Sequence, residues 1–324
     1  MKTRGRIILP ILALILSLRG AVPQEPKDKD AIEIPIVLKT GDCLRYEIAR
    51  TTTGEKGPGT LKSVVTIQVA RADESGWLIS WEHGDWQAEG PGQELNPDDL
   101  KAVNLMMKVR LLLSLDRHAT NMRLANWEEL RDQLQKGLDA LTAGMPKDGM
   151  SKEMAYSPKT LLRSMYQNRE LMTSYYTQEP QAFFAFPGKS LPLSKPLEAE
   201  VQLPNPFGGE PFPGRSRVVV TSVEKKGHRA VVASSMKLDP ERMPKILEQI
   251  TKDMGLNLGV PSPEGFSIKN VAVDFMAEYD FDLVSGWPNS LTLRKVSKIE
   301  GMSQEETTTM KRLPEAKPPV PKKT

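Results

Sequence analysis

The sequence predicts an α+β fold in which long antiparallel β-meanders and hairpins form two pseudo-repeated curved sheets, or one large sheet, with helices on the apolar faces. Three observations support this prediction. Many segments carry an apolar residue at every second position, which is the period of a strand with one buried face. Elsewhere the apolar spacing changes to three and four residues, the period of an amphipathic helix. Short polar turns separate the segments, which favours antiparallel neighbours.

Four segments with an apolar residue at every second position lie in the first part of the chain, near residues 32, 44, 61 and 77. Pro35 restricts the first of them to an edge position or an extended arm, because proline has no N–H to donate. The next three predict a β-meander. Residues 84–100 predict a loop, or a short helix that is capped by Asn96 and begins at Pro97.

The stretch 103–138 predicts a strand, a turn, a second strand and a helix. Apolar residues occupy alternate positions from Val103 to Leu115, so we expect one strand of about a dozen residues. The polar residues 116–119 break this alternation and residues 120–124 resume it, which predicts a hairpin. Asn126 then caps a helix whose apolar stripe begins at Trp127.

A second helix is predicted from Pro158 to about Ser174. The rest of the chain returns to strand patterns. Its predicted elements are strands at 197–201, 218–222 and 230–234, a helix at 240–254, a long hairpin at 271–299 and a last strand at 304–313. Each half therefore has a three-strand meander and then a long hairpin. This order predicts a degenerate internal duplication, although many antiparallel proteins share such meanders.

The sequence divides into six predicted segments. They are a signal peptide (1–21), a flexible lead-in (22–31), a first β half with a helix (32–144), a helical and Pro-rich connector (145–195), a second β half with an inserted helix (196–313) and a disordered basic tail (314–324).

The N-terminus has the pattern of a secretory signal peptide. Basic residues at 2, 4 and 6 precede an apolar run over 7–18, and Gly20 and Ala21 are small enough for cleavage. The run is shorter than the roughly 20 residues that span a bilayer. We therefore expect an exported protein, periplasmic or extracellular, without a transmembrane span after cleavage; an uncleaved anchor is the alternative.

Charge and cysteine content exclude some classes of protein. The chain has a net charge of +3, but residues 1–20 hold four basic and no acidic residues, and the stretch 311–324 holds five basic residues and one acidic residue. The body between them is therefore near −5, which does not favour nucleic-acid binding. The lone Cys43 cannot form an internal disulfide, and we interpret it as a half-buried strand-edge residue rather than a nucleophile.

Four segments carry a resemblance to known proteins. They are KTGDCLRYEI (39–48), LSLDRHATNMRLANWEEL (113–130), FPGKSL (186–191) and YDFDLVSGWPNSLTLRKVSKI (279–299). With the secretion signal, they resemble uncharacterised secreted β-rich proteins of Gram-negative bacteria, domains of unknown function, over most of residues 35–313. The resemblance implies no catalytic residue. At the level of fold alone, a long curved antiparallel sheet with helices beside it is similar to periplasmic lipid and lipoprotein carriers.

Catalytic and metal-binding patterns are absent from the sequence. His83, His118 and His228 have no His or Cys at metal-ligand spacing, and we interpret them as solvated turn residues. No nucleophile elbow, phosphate-binding glycine loop or zinc-protease helix occurs. We therefore predict no catalytic, metal or cofactor site.

Aromatic residues are the candidates for contact with a ligand. They are Trp77, Trp81, Trp86, Tyr175, Tyr176, Phe183, Phe184 and Phe186, and ordinary core packing is the alternative role. The favoured function is a non-catalytic envelope protein that binds an apolar small molecule or an envelope protein on a curved sheet. A structural or interaction module without a pocket, and a hydrolase with an unrecognised site, are the alternatives.

Overall fold

The computed structural model describes residues 30–54, 57–89, 97–119, 121–142, 168–193, 195–203, 205, 209–257, 268–299 and 302–314. The predicted signal peptide, nearly all of the lead-in and nearly all of the basic tail lie outside the described residues. The strands are β1 (Ala31–Glu33), β2 (Cys43–Gly54), β3 (Gly57–Asp73), β4 (Gly76–His83), β5 (Gln87–Glu89), β6 (Arg110–Leu115), β7 (Met122–Leu124), β8 (Ser190–Pro192), β9 (Leu197–Leu203), β10 (Phe212–Glu224), β11 (Arg229–Leu238), β12 (Ala272–Asp282), β13 (Pro288–Ile299) and β14 (Met302–Arg312). The helices are α1 (Pro97–Met107), α2 (Trp127–Thr142), α3 (Arg169–Tyr176), α4 (Gln178–Phe183) and α5 (Met243–Asn257).

Strands from both halves of the chain join one antiparallel sheet. Its order is β7-β6-β4-β3-β2-β14-β13-β12-β11-β10-β9, and β5 pairs with β3 as its twelfth strand. The last strand, β14, lies between β2 and β13 and so connects the two halves. Strands β1 and β8 form a separate two-stranded sheet. The protein is thus predominantly antiparallel β-structure with few helices.

One face of the large sheet is apolar and carries two separate hydrophobic clusters. Along β12 the inward residues Ala277, Tyr279 and Phe281 belong to the first cluster, and Val273 and Phe275 belong to the second. Residues at every second position of a strand share a face, so both clusters lie on the same side of the sheet. We call this side the inner face.

Different helices cover the two clusters. Leu130 and Leu134 of α2 pack on the first cluster, as do α3 and α4. Helix α5 buries Met243, Ile246, Leu247 and Ile250 in the second. That spacing of three, four and seven residues is the apolar stripe expected of a helix on a sheet.

Most of the predicted elements are confirmed, namely the meanders, the long hairpin of β12 and β13, the last strand and the helices now called α2 and α5. The arm around Pro35 is also confirmed, since β1 ends at Glu33. Cys43 is exposed rather than half-buried, because it precedes Leu44 on β2 and so faces the outer side. The internal duplication stays a prediction.

The long strand predicted from Val103 is wrong in its first part, because residues 103–107 are the end of α1. Val103, Met106 and Met107 pack against the first cluster at helical spacing. The apolar residues of this run fit both the alternation of a strand and the spacing of a helix. Asn104 favours the helix, since its Nδ2 donates to the Leu100 carbonyl one turn earlier (3.1 Å).

Helix α2 begins at Trp127 as predicted, but the role of Asn126 and the start of α3 differ from the prediction. The Oδ1 of Asn126 accepts a hydrogen bond from the Leu112 N–H (2.8 Å) and its Nδ2 donates to the Arg110 carbonyl (2.9 Å), so the side chain joins α2 to β6 instead of capping the helix. Helix α3 begins at Arg169 rather than continuing from Pro158. The reason is Asn168, whose extended backbone and capping Oδ1 start a new helix. Residues 158–167 and Asn96 lie outside the described residues.

Candidate functional site

A cleft of about 400 Å³ lies on the inner face between the two hydrophobic clusters. Along β13, Leu291 belongs to the first cluster and Ile299 to the second, and the cleft is lined by Leu293 and Lys295 between them. The apolar face is therefore interrupted at mid-strand. The lining residues are Arg50, Thr52, His83, Met107, Val109, Leu111, Tyr175, Tyr176, Gln178, Glu179, Phe275, Leu293, Arg294, Lys295, Gln304, Glu306 and Thr308.

Strand register brings the polar floor of the cleft together. One cross-strand row runs from Thr52 through Glu306 and Lys295 to Phe275. The neighbouring row pairs Arg50 with Thr308 and Thr308 with Leu293. Directly opposite residues have β-carbons about 5 Å apart. Side chains from four strands thus meet on one patch of the inner face.

The short helix α4 supplies a carboxylate to this patch. Phe183 at its end is buried against Tyr46 and Trp81, with ring centroids 5.1 and 5.4 Å apart. Glu179 precedes Phe183 by four residues, so the two side chains share a helix face. Anchoring Phe183 in the core therefore directs Glu179 toward the sheet.

Glu179 forms a buried ion pair with Arg50. Its Oε1 accepts hydrogen bonds from the Nε (2.8 Å) and Nη2 (2.7 Å) of Arg50. The guanidinium carbon of Arg50 lies 4.7 Å from the centroid of the Trp86 ring, a cation–π distance. Arg50 is thus held between a carboxylate and an aromatic face.

His83 contradicts the interpretation as a solvated turn residue, since it is only 5% exposed. It is the last residue of β4 and lies on the same face as Ile79 and Trp81. Its Nε2 lies 3.2 Å from the indole Nε1 of Trp81 and 3.3 Å from Oε2 of Glu179. The indole N–H can only donate, so Nε2 accepts it when unprotonated and donates to Glu179 when protonated. The two hydrogen bonds therefore exclude each other, because one needs a bare Nε2 and the other an Nε2–H.

His118 and His228 are exposed turn residues, as predicted.

We refer to Arg50, His83 and Glu179 as the buried polar cluster. Burial alone would raise the pKa of the Glu179 carboxyl, but Arg50 and His83 outweigh it and hold that pKa at about 2. Among the described residues, Nδ1 of His83 is a buried atom without a hydrogen-bond partner.

Lys295 is the second buried cation of the cleft lining. Burial lowers the pKa of its amine to about 8, although the charge of Glu306 opposes this shift. Its Nζ lies 5.8 Å from the centroid of the Phe275 ring. The cleft therefore combines apolar walls with ionisable groups of both signs.

The eight aromatic candidates divide into two groups. Tyr175 and Tyr176 line the cleft, with ring centroids 5.0 Å apart, and the hydroxyl of Tyr176 donates to the Met106 carbonyl (3.2 Å). The other six do not line the cleft: Trp77 packs against the first hydrophobic cluster, as the two tyrosines also do, and Trp81, Trp86, Phe183, Phe184 and Phe186 are buried in it. Their contact with a ligand stays a prediction.

Sequence reasoning missed the charged residues of the cleft. Arg50 follows Tyr46 and Ile48 at strand spacing, and Lys295 follows Leu291 and Leu293 in the same way. A charge on the apolar face of a strand was thus the available signal. Glu179 gave no such signal, because only the tertiary structure places α4 over β2.

Comparisons with known proteins give a distant likeness of fold. No protein-family model and no curated protein matches the chain. A solved structure described as "Lipid-protein interactions in lipovitellin" aligns with 87% of this chain at 10% identity and a TM-score of 0.40. The alignment covers 27% of the lipovitellin chain, and a likeness of this size does not bear on function.

Two kinds of feature are absent from the residues that the structure describes. No helix there is both long enough and apolar enough to cross a membrane. No group of three or more His, Cys, Asp or Glu side chains is arranged to hold a metal ion in that part of the chain.

Proposed function

We propose that the protein is an exported, non-catalytic binding protein whose cleft takes a small, largely apolar ligand. The interruption of the hydrophobic inner face by the cleft carries this proposal. Its volume of about 400 Å³ falls within the range of small-molecule sites. A ligand there would continue the apolar surface between the two clusters.

The lining supports a ligand with an apolar body. Met107, Leu111, Phe275 and Leu293 present hydrocarbon to the cleft from four different elements. Polar groups from β2, β13 and β14 lie along its floor. A few polar groups among apolar walls are typical of sites that orient a ligand and exclude water.

Titration of a dansyl-labelled fatty acid, followed by its fluorescence, tests the proposal. Leu293→Trp places a large ring in the cleft and is expected to weaken binding by roughly tenfold or more. Thr309→Trp is the matched control, because Thr309 is exposed on the opposite face of the neighbouring strand. Thermal unfolding of both variants checks that they are folded.

The proposal predicts saturable binding by the wild type and by Thr309→Trp, and weakened binding by Leu293→Trp. Equal binding by all three proteins would place the probe elsewhere and contradict it. If the wild type does not bind the probe saturably, and decanol does not compete with the probe, that result would also count against the proposal.

Export is part of the same proposal and is supported by the sequence of residues 1–21. Expression of the whole chain in a Gram-negative host, followed by fractionation and N-terminal sequencing, tests it. We expect a mature chain that begins near residue 21 in the periplasm or medium. An uncleaved chain in the cytoplasm would contradict export.

A further inference from the structure

We propose that Lys295 binds an apolar aldehyde covalently, as a reversible imine formed inside the cleft. This inference rests on the proposed function and names the chemical class of one ligand. It depends on three features of the site: the position of the amine, a carboxylate beside it and apolar walls for the aldehyde chain.

The position of Lys295 is fixed by strand register. It lies on the inner face of β13 between Leu293 and Ser297, and it is partly buried. Directly across the strands it pairs with Phe275 on one side and Glu306 on the other. An aldehyde whose chain lies along Leu293 and Phe275 therefore has its carbonyl carbon next to the amine.

Burial makes this amine more reactive than an ordinary lysine at neutral pH. The pKa of Lys295 is lowered from 10.5 to about 8, so a larger share of this amine is neutral at pH 7 than of an ordinary lysine. Desolvation in an apolar pocket is an established means of activating a lysine nucleophile.

The reaction needs no oxidant or reductant. The neutral amine attacks the carbonyl carbon, a proton passes from nitrogen to oxygen, and a carbinolamine forms. Loss of one water molecule from this adduct gives the imine, and addition of water reverses it. Glu306 is placed to accept and return the proton, because it faces Lys295 across β13 and β14.

Lys298 provides a matched control on the same strand. It is three residues from Lys295, is exposed and lies on the outer face. Because Lys298 is exposed, we expect it to react with aldehydes as an ordinary surface lysine does. Substitution with arginine at either position keeps a positive charge but removes the amine that forms an imine.

The test is incubation of the full chain with decanal and sodium cyanoborohydride at pH 7, followed by peptide mass mapping. The separately mapped N-terminal peptide accounts for labelling of the α-amine, and we expect the decyl group on Lys295 to form at least about tenfold faster than that on Lys298. Lys295→Arg is expected to abolish this label, and Lys298→Arg to leave it unchanged. Acetaldehyde, which lacks the apolar chain, is expected to label Lys295 much more slowly than decanal does.

Displacement of the dansyl-labelled fatty acid by decanol separates this inference from the proposed function. If decanol displaces the probe but Lys295 is labelled no faster than exposed lysines, the imine is overturned and the binding cleft remains. If decanol does not displace it and decanal labels all lysines alike, both are overturned. Selective labelling of Lys295 that requires the long chain supports both.

Discussion

Single residues in the cleft combine charge with burial, and the ion pair of Glu179 with Arg50 is the clearest case. Breaking a buried pair by removing one partner leaves an uncompensated charge in the interior. The Trp86 ring covers one side of the guanidinium of Arg50. The pair therefore joins α4 to β2 as well as lining the cleft.

Glu179→Gln is expected to lower the free energy of unfolding at pH 7 by roughly 3 kcal/mol or more, because Arg50 loses its carboxylate. The folded pKa of Glu179 is about 2 and its ordinary value is 4.5, so the unfolded chain takes up this proton first as pH falls. The contribution is complete above about pH 4.5 and is lost as pH falls toward 2. Urea unfolding between pH 2 and pH 7 measures it.

Asp132→Asn is the control for this experiment, because its ion pair with Arg131 is exposed. It is expected to change the free energy of unfolding by less than about 1 kcal/mol. A Glu179→Gln variant that lost stability between pH 4.5 and pH 2 as steeply as the wild type would refute the role assigned to this carboxyl.

Gly286 is required where the turn between β12 and β13 meets the N-terminal arm. Its φ is +75°, and a β-carbon there would overlap the carbonyl of Pro35. Gly41 also has positive φ, +95°, but has open space around it. Gly286→Ala is expected to cost roughly 2 kcal/mol more than Gly41→Ala in denaturant unfolding, since only Gly286 adds a steric clash to backbone strain. Equal costs would mean that this close approach is absent.

Strand alternation predicted which residues face the inner and the outer side of the sheet. It did not predict which charged side chains meet on the inner side. The inward position of Trp81 was predicted from the alternation of β4, and that alternation also places His83 inward. His83 was misassigned because no His or Cys lies at metal-ligand spacing from it, whereas its partner Glu179 approaches it only in the tertiary structure. Glu179 was beyond prediction, since it reaches Arg50 across 129 positions of sequence.

At the scale of elements, α1 shows where periodicity was insufficient. Its last residues fit both a strand and a helix, and contacts made elsewhere in the chain decide between them. Asn104 supplies two of these contacts: its Oδ1 accepts from the Trp86 N–H (2.6 Å) and its Nδ2 donates to the Trp86 carbonyl (3.1 Å). Within α1, Nδ2 also donates to the Leu100 carbonyl (3.1 Å). The helix thereby holds the segment that carries Trp86 under Arg50.

Asn104→Ala is expected to lower the free energy of unfolding by roughly 2 kcal/mol, because it leaves partly buried backbone groups of Trp86 without this partner. Gln133→Ala is the comparison, since it removes a single exposed hydrogen bond to the Lys108 carbonyl. That change is expected to cost less than about 1 kcal/mol. Chemical denaturation of both variants checks the difference, and equal losses would show that Asn104 does not hold α1 in place.

At the scale of the whole molecule, β14 makes one sheet from the two halves of the chain. It pairs with β13 beside it in sequence and with β2 near the start of the chain. Three of its residues, Gln304, Glu306 and Thr308, also line the cleft. The cleft therefore depends on the pairing of β14 with both β2 and β13.

A chain that ends after residue 300 is expected to aggregate, because β2 and β13 would both become unpaired edges. A chain that ends after Pro314 keeps all of β14 and is the control. Size-exclusion chromatography of the two proteins distinguishes them. A monomeric, folded chain without β14 would contradict its role as the joining strand.

The central claim is that the cleft between the two hydrophobic clusters holds an apolar ligand. Native mass spectrometry with lipid extraction, on mature protein purified from a bacterial envelope, tests it most directly. We expect a bound apolar molecule on the wild type and on Thr309→Trp, and its loss from Leu293→Trp. A wild-type protein that is isolated empty and remains empty after exposure to envelope lipids would contradict the claim.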